Sequence, residues 1–478
     1  MSKAVAETTE KYNEHLSQWT RSRDAIKGQD RIHDKGEEYL PKPAGWTNGM
    51  YTKYKKAALF YNATGRTYSA FKGLIFRKEP DINGKNIEEF LEDCTLSGTS
   101  LEEYSEKVVC EELKTSRFGV LVDHPDQTGF ELSQAEAEAM GNRSYLVSYE
   151  AENILEAKTG RVGNKTVLVR VRLKEMYEVS GDDEFETKEA EQIRVLDLSI
   201  PEGVEDEKEY SGPLVYRQRI FRKEKDEKTG WAEVEKLRTY PLMDGKYIEE
   251  IPFYMVGGYD YRTPHLIDLV NANLSHYVGY ADHRHGVFTA NRAQFYATGV
   301  KDEELPEEMV LGGQEFWNFP NPEAEVGVAE ASGNGLIPSE KLLDKLEAFM
   351  ANLGARMLMP EGNESDKTAT EYVIKKQGEN SSLADVSKLV SQCLTKAMKF
   401  AARWMGIAED DIEIKLNTDF IPFQATPDDL LKMIQSVQSG GYLVDDLLWW
   451  ARQNEIVDPS IPDEDRKAKL ETDRPPEM

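Results

Sequence analysis

Apolar residues recur along the chain with a period that changes from block to block, and the changes predict its elements. The most regular block lies at 368–405. There Leu383, Val386, Val390, Cys393, Ala397, Ala401 and Trp404 step by threes and fours, one face of a long helix. Gly378-Glu379-Asn380 falls within it as a kink. Tyr54, Ala58, Tyr61, Gly65, Tyr68 and Lys72 repeat at the same spacing and predict a helix over 51–76. Two further helices are expected at 265–289, after Pro264, and at 338–359, opened by Pro338-Ser339-Glu340 and stopped by Pro360. Residues 87–118 read as helix broken at Leu96-Ser97-Gly98, with Ser100 and Glu103 in a capping-box pattern.

Elsewhere the period is shorter. Residues 118–123 are a continuous apolar run, a buried strand, and 251–256 reads the same way. Runs at 145–149, 166–173, 193–198 and 214–221 are separated by acidic turns such as Gly181-Asp182-Asp183-Glu184. They predict an antiparallel sheet with long polar connections. Residues 294–337, rich in Gly, Pro, Glu and β-formers, predict a small β-containing excursion between the helices at 265–289 and 338–359. A polar loop at 361–367, a strand at 412–416, short helices near 427 and 445–453, and a charged Pro-rich tail from 458 complete the pattern.

Composition narrows the function. A formal net charge of −28 with no basic stripe excludes a protein that grips nucleic acid tightly. It suits a surface past which DNA slides. Cys94, Cys110 and Cys393 are too few and too irregularly spaced for a disulfide framework or a zinc motif, and read as free thiols. The N-terminus lacks a leader pattern, and no apolar run approaches the ~20 residues that span a bilayer. A soluble chain made in the cytoplasm, with no membrane partner, is expected.

Chemistry finds little support. The segment Gly160-Arg161-Val162-Gly163-Asn164-Lys165-Thr166 has the wrong glycine spacing for a phosphate loop and reads as a turn. His276, Asp282, His283 and His285 are the most tempting cluster. A helix puts His276 and His283 on one face and turns His285 away, so a helix surface is preferred to a metal site. No catalytic residue, metal or cofactor is expected. Trp449-Trp450 reads as core, and Phe316 and Trp317, in an excursion too short for its own core, read as interface.

The order of elements and several stretches resemble the portal proteins of tailed bacteriophages, in a subgroup with a short C-terminus. The stretches are Ala57 to Asn62 through Arg66-Thr67 to Gly73 to Pro80, and Gly98 to Leu101 leading to Phe118 to Asp123. They continue with Ile251-Pro252-Phe253, then Pro264 to Leu269, Asn273 to Tyr277, and Lys367 to Glu371. The resemblance spans roughly 15–455. It implies an α+β portal fold with a mixed helical and β wing, a two-helix stem, a small β-containing clip, a long kinked tunnel helix and a short helical crown. On this chain those parts are a helical wing at 1–142, a β-rich wing at 143–262, and stem helices at 263–293 and 338–359. The clip is then 294–337, the tunnel loop 360–367, the tunnel helix 368–406, and the crown and tail 407–478. It further implies a ring, usually of about twelve subunits, at one capsid vertex of the virion. Its partners would be the major capsid protein and scaffold, the terminase large subunit, head–tail adaptor proteins, and double-stranded DNA passing without sequence specificity.

Within that frame Glu361, Asn363, Glu364, Ser365, Asp366 and Lys367 would ring the bore, and Lys341 and Lys345 could meet phosphates from the stem. Asp302, Glu303, Glu304, Glu307 and Glu308, with Phe316 and Trp317, would form the clip's docking surface. The competing expectations are a cytoplasmic non-enzymatic scaffold and an enzyme with scattered catalytic residues.

Overall fold

The computed structural model describes residues 4–125, 143–180, 187–204, 210–223, 230–292, 294–299, 323–329, 333–356 and 381–420, with 431–433, 435–436, 441 and 451. The fold is mixed α+β. Its helical part begins with α1 (Glu10–Lys27), where the Thr9 hydroxyl accepts the Tyr12 N–H at 3.2 Å, and α2 (Gln29–Lys35). The helix expected over 51–76 is two helices, α3 (Asn48–Ala57) and α4 (Ala63–Ile75). Between them Ala58 is extended, and Asn62 restarts the helix by accepting the Gly65 N–H at 2.8 Å. The break is held from outside: Ala58 and Phe60 are buried, and the Phe60 N–H donates to Gln29 Oε1 at 3.2 Å. The apolar period survives the break, which is why the sequence reads as one helix. After a short strand β1 (Asp81–Asn83) come α5 (Glu88–Glu92) and α6 (Leu101–Thr115). The predicted capping box is present: Ser100 Oγ accepts the Glu103 N–H at 3.2 Å, and Glu103 Oε2 accepts the Ser100 N–H at 3.3 Å.

Strand β2 (Phe118–Asp123) is buried at all six residues and is the middle of a three-stranded antiparallel sheet. Its neighbours are β3 (Tyr145–Glu150) and a later strand, Phe253–Met255. Gly119 is required there, because a side-chain carbon would lie 2.2 Å from the Phe253 ring. The five-stranded antiparallel meander runs in chain order: β4 (Ile154–Val162), β5 (Lys165–Ser180), β6 (Thr187–Ser199), β7 (Val215–Lys223) and β8 (Trp231–Glu233). Two expectations are corrected. The run at 145–149 belongs to the other sheet, and β4, polar on most of its length, was not anticipated. A two-stranded ribbon of β9 (Leu242–Met243) and β10 (Lys246–Tyr247) precedes β11 (Phe253–Met255).

The later chain gives α7 (Ile267–Ala290), β12 (Gln294–Thr298) paired antiparallel with β13 (Glu325–Ala329), and α8 (Leu336–Arg356). Helix α9 (Ser382–Trp404) and β14 (Glu413–Lys415), which pairs with β1, follow. All seven apolar positions predicted for the long helix are buried in the main core. Each large aliphatic among them contributes roughly 1.5–3 kcal/mol of burial. Residues 368–380, with the kink expected at Gly378-Glu379-Asn380, lie outside the described residues. Ser381 is extended and caps α9, its hydroxyl accepting the Ala384 N–H at 3.2 Å. The core that α9 shares with α2 to α7 and the three-stranded sheet is joined by a smaller one, where Val5, Tyr12 and Trp19 cover the five-stranded sheet.

Candidate functional site

The antiparallel pair of α7 and α8 stands on the helical core and carries the β12–β13 ribbon at its far end. One polar residue within its apolar face helps to seat it. Asn273 is fully buried and makes three hydrogen bonds: Oδ1 accepts from the Thr64 N–H at 3.0 Å and Oγ1–H at 2.9 Å, and Nδ2 donates to Tyr61 O at 2.7 Å. Sequence reasoning named Asn273 only within a resembling stretch and gave it no role; the signal was a lone amide among buried positions.

The two helices meet closely because α7 presents glycine. A side-chain carbon at Gly286 would lie 2.9 Å from Leu336, and at Gly279 3.4 Å from Leu343. Two histidines fasten the seam, on the shared face that their spacing of seven predicts. His276 Nε2 donates to Glu347 Oε1 at 3.1 Å, and its Nδ1 is buried with no hydrogen-bond partner among the described residues. His283 Nδ1 and Ser339 Oγ share a hydrogen bond of 2.6 Å, and Ser339 Oγ also lies 2.8 Å from Leu336 O. His285 turns away and packs against Trp46, ring centres 4.7 Å apart. Asp282 accepts from the Tyr54 hydroxyl at 2.5 Å; burial first, and then this carboxylate, push the Tyr54 phenol up. Each member of the tempting cluster therefore has its own partner. Among the described residues no group of three His, Cys, Asp or Glu side chains could hold a metal ion.

Lys341 and Lys345 are exposed, one turn apart, on the side of α8 away from α7. Large exposed apolar side chains collect on the same arm: Phe288, Tyr296, Val328, Ile337, Leu342 and Phe349. Glu361, Asn363, Glu364, Ser365, Asp366 and Lys367 lie outside the described residues. So do Asp302, Glu303, Glu304, Glu307, Glu308, Phe316 and Trp317, and the pair Trp449-Trp450. Cys94 and Cys393 are buried, and burial pushes each thiol up to about 12. Among the described residues no helix is long and apolar enough to cross a membrane.

A family model described as a domain of unknown function (DUF4055) matches residues 265–405, from the start of α7 to the end of α9. No curated protein matches the chain. Among solved structures, a chain in the neck of an empty GTA particle, computed with C6 symmetry, is 10% identical with a TM-score of 0.38, covering 84% of this chain and 93% of that one. A chain in the neck of a native GTA particle, computed with C12 symmetry, is 11% identical with a TM-score of 0.35, covering 85% and 92%. At these TM-scores the likeness supports no argument about fold or function.

Proposed function

We propose that this chain is one subunit of a phage portal: a ring-shaped channel at a capsid vertex through which DNA is packaged and ejected. The observation that carries the reading is the α7–α8 pair. Its helices of 24 and 21 residues are roughly 36 and 31 Å long at 1.5 Å per residue. They run antiparallel, seated at one end and joined at the other through the β12–β13 ribbon. Repeated about an axis, such rods make a wall long enough to cross a protein shell. The sequence order before and after them is the order the resemblance implies.

In this reading the protein hydrolyses nothing. A separate packaging ATPase docks on the excursion around 300–335, and adaptor proteins later take the same surface. Lys341 and Lys345 face the bore as exposed cations, and residues 361–367 ring it. The overall negative charge keeps DNA from adhering. Electron microscopy of the purified protein tests this directly. Rings with a central opening wide enough for a duplex, of mass on the order of several hundred kilodaltons from 54.3 kDa chains, are expected. A chain that stays monomeric at every concentration and with capsid protein present refutes it. For the docking surface, Asp302, Glu303, Glu304, Glu307 and Glu308 are neutralised together; motor binding that does not change rejects that assignment.

A further inference from the structure

The α7–α8 pair has two lateral sides, and they differ. On one side α4 packs, with Asn273 holding Thr64 and Gly354 lying against Thr67. Two apolar side chains project there, Ile337 at 61% exposure and Tyr61 at 38%. The opposite side is grooved. A groove of about 630 Å³ between α1 and α7 is floored by Leu16, Leu274 and Val278. A second, also about 630 Å³, opens between α7 and α8 and is bounded by Gly279, Gly286 and Leu342. Leu342 lies five residues from Ile337, about 140° around α8, and so on the other flank.

The projections and grooves match in height. Tyr61 sits 5.8 Å from the His276 ring, level with the Leu274–Val278 groove. Ile337 follows Leu336, whose side chain meets Gly286, level with the second groove. Arg66 lies over the Tyr61 ring at 5.6 Å, so this projection carries a cation. Glu38, half-exposed and 3.0 Å from its own Lys35, edges the first groove together with Arg21, and Asp282, which accepts from Tyr54, edges the second.

We infer that these two sides bind each other between copies of this chain. Tyr61 with Arg66 enters the α1–α7 groove of the next copy, and Ile337 enters its α7–α8 groove. The contact is heterologous, so it repeats around a ring when its rotation closes. This rests on the ring reading above and assigns its lateral interface.

The test uses the full chain, with sedimentation and electron microscopy for assembly and circular dichroism for fold. Ile337→Asp and Arg66→Glu, both at exposed positions, are expected to stay folded and to associate at least about tenfold more weakly. Arg66→Glu combined with Glu38→Arg is expected to recover most of the loss, which general surface damage would not allow. Wild-type rings that both single variants still form with equal affinity overturn this interface and leave the ring reading standing. Failure of the double variant to recover overturns the Arg66–Glu38 pairing. Wild-type protein that never associates overturns the ring reading and this inference with it.

Discussion

Arg117 is 2% exposed, and none of its guanidinium nitrogens meets an acceptor among the described residues. Its guanidinium lies 4.0 Å from the centre of the Tyr261 ring, and burial holds its pKa below the ordinary arginine value. A ring face returns about 0.5–2 kcal/mol to a cation. Desolvating an unpaired charge costs several. Arg117→Met keeps the length and removes the charge, so it should raise stability by about 1–2 kcal/mol in urea unfolding. Arg194 is the opposite case. It reaches Glu175 at 2.7 Å, Gln218 at 2.9 Å and Asp123 at 3.1 Å; burial lowers its pKa, but Tyr149, Glu175 and Asp123 outweigh burial and hold it high. Arg194→Met strands two carboxylates between the sheets and should cost about 3–5 kcal/mol by the same measurement. If both variants shift stability in the same direction, partner satisfaction is not what separates them.

At the scale of elements, the junction of α1 and α6 is set by charge. Glu111, 5% exposed, sits 2.7 Å from Arg23 and 2.8 Å from Lys114. Burial opposes its ionisation, but Arg23 and then Lys114 outweigh burial and hold Glu111 below its usual value of 4.5. A carboxylate with a depressed folded-state pKa stabilises the fold above its unfolded value, and that contribution fades as pH falls through the folded one. Thermal melts should therefore lose stability as pH drops below about 4.5. Glu111→Gln should be less stable at neutral pH and flatter through that window; an unchanged slope would exclude Glu111 as a contributor. The elements most legible in sequence were those specified by their own residues: the α9 face, the Ser100 cap and the buried β2 run. Those set by distant contacts were not. The α3–α4 break depends on Gln29 and on burial of Phe60, and β4 is ordered by pairing along β5 rather than by an apolar pattern. In the candidate site, spacing gave the shared face of His276 and His283. It could not give Asn273 or the two grooves, which exist only once α1, α4 and α8 meet α7.

At the scale of the molecule, the arm is an appendage with a narrow root. A side-chain carbon at Gly333 would lie 3.9 Å from Ala290, so the chain leaves α7 and returns to α8 at neighbouring points. No described side chain of β12 or β13 belongs to either hydrophobic core. Tyr296, Val326 and Val328 are exposed. Replacing residues 293–332 by three glycines therefore removes no core contact seen among the described residues and shortens the loop that folding must close. The variant should unfold cooperatively with a melting temperature within about 2 °C of the parent, a margin of about 2 kcal/mol for a chain of this size. Ile337, Tyr61 and both grooves remain, so lateral association should persist while binding of a packaging motor is lost. Loss of cooperative unfolding would mean that the excursion is part of the core. Retained motor binding would move the docking surface off the arm, and loss of rings from a well-folded variant would place the lateral contact on the excursion instead of on the helix pair.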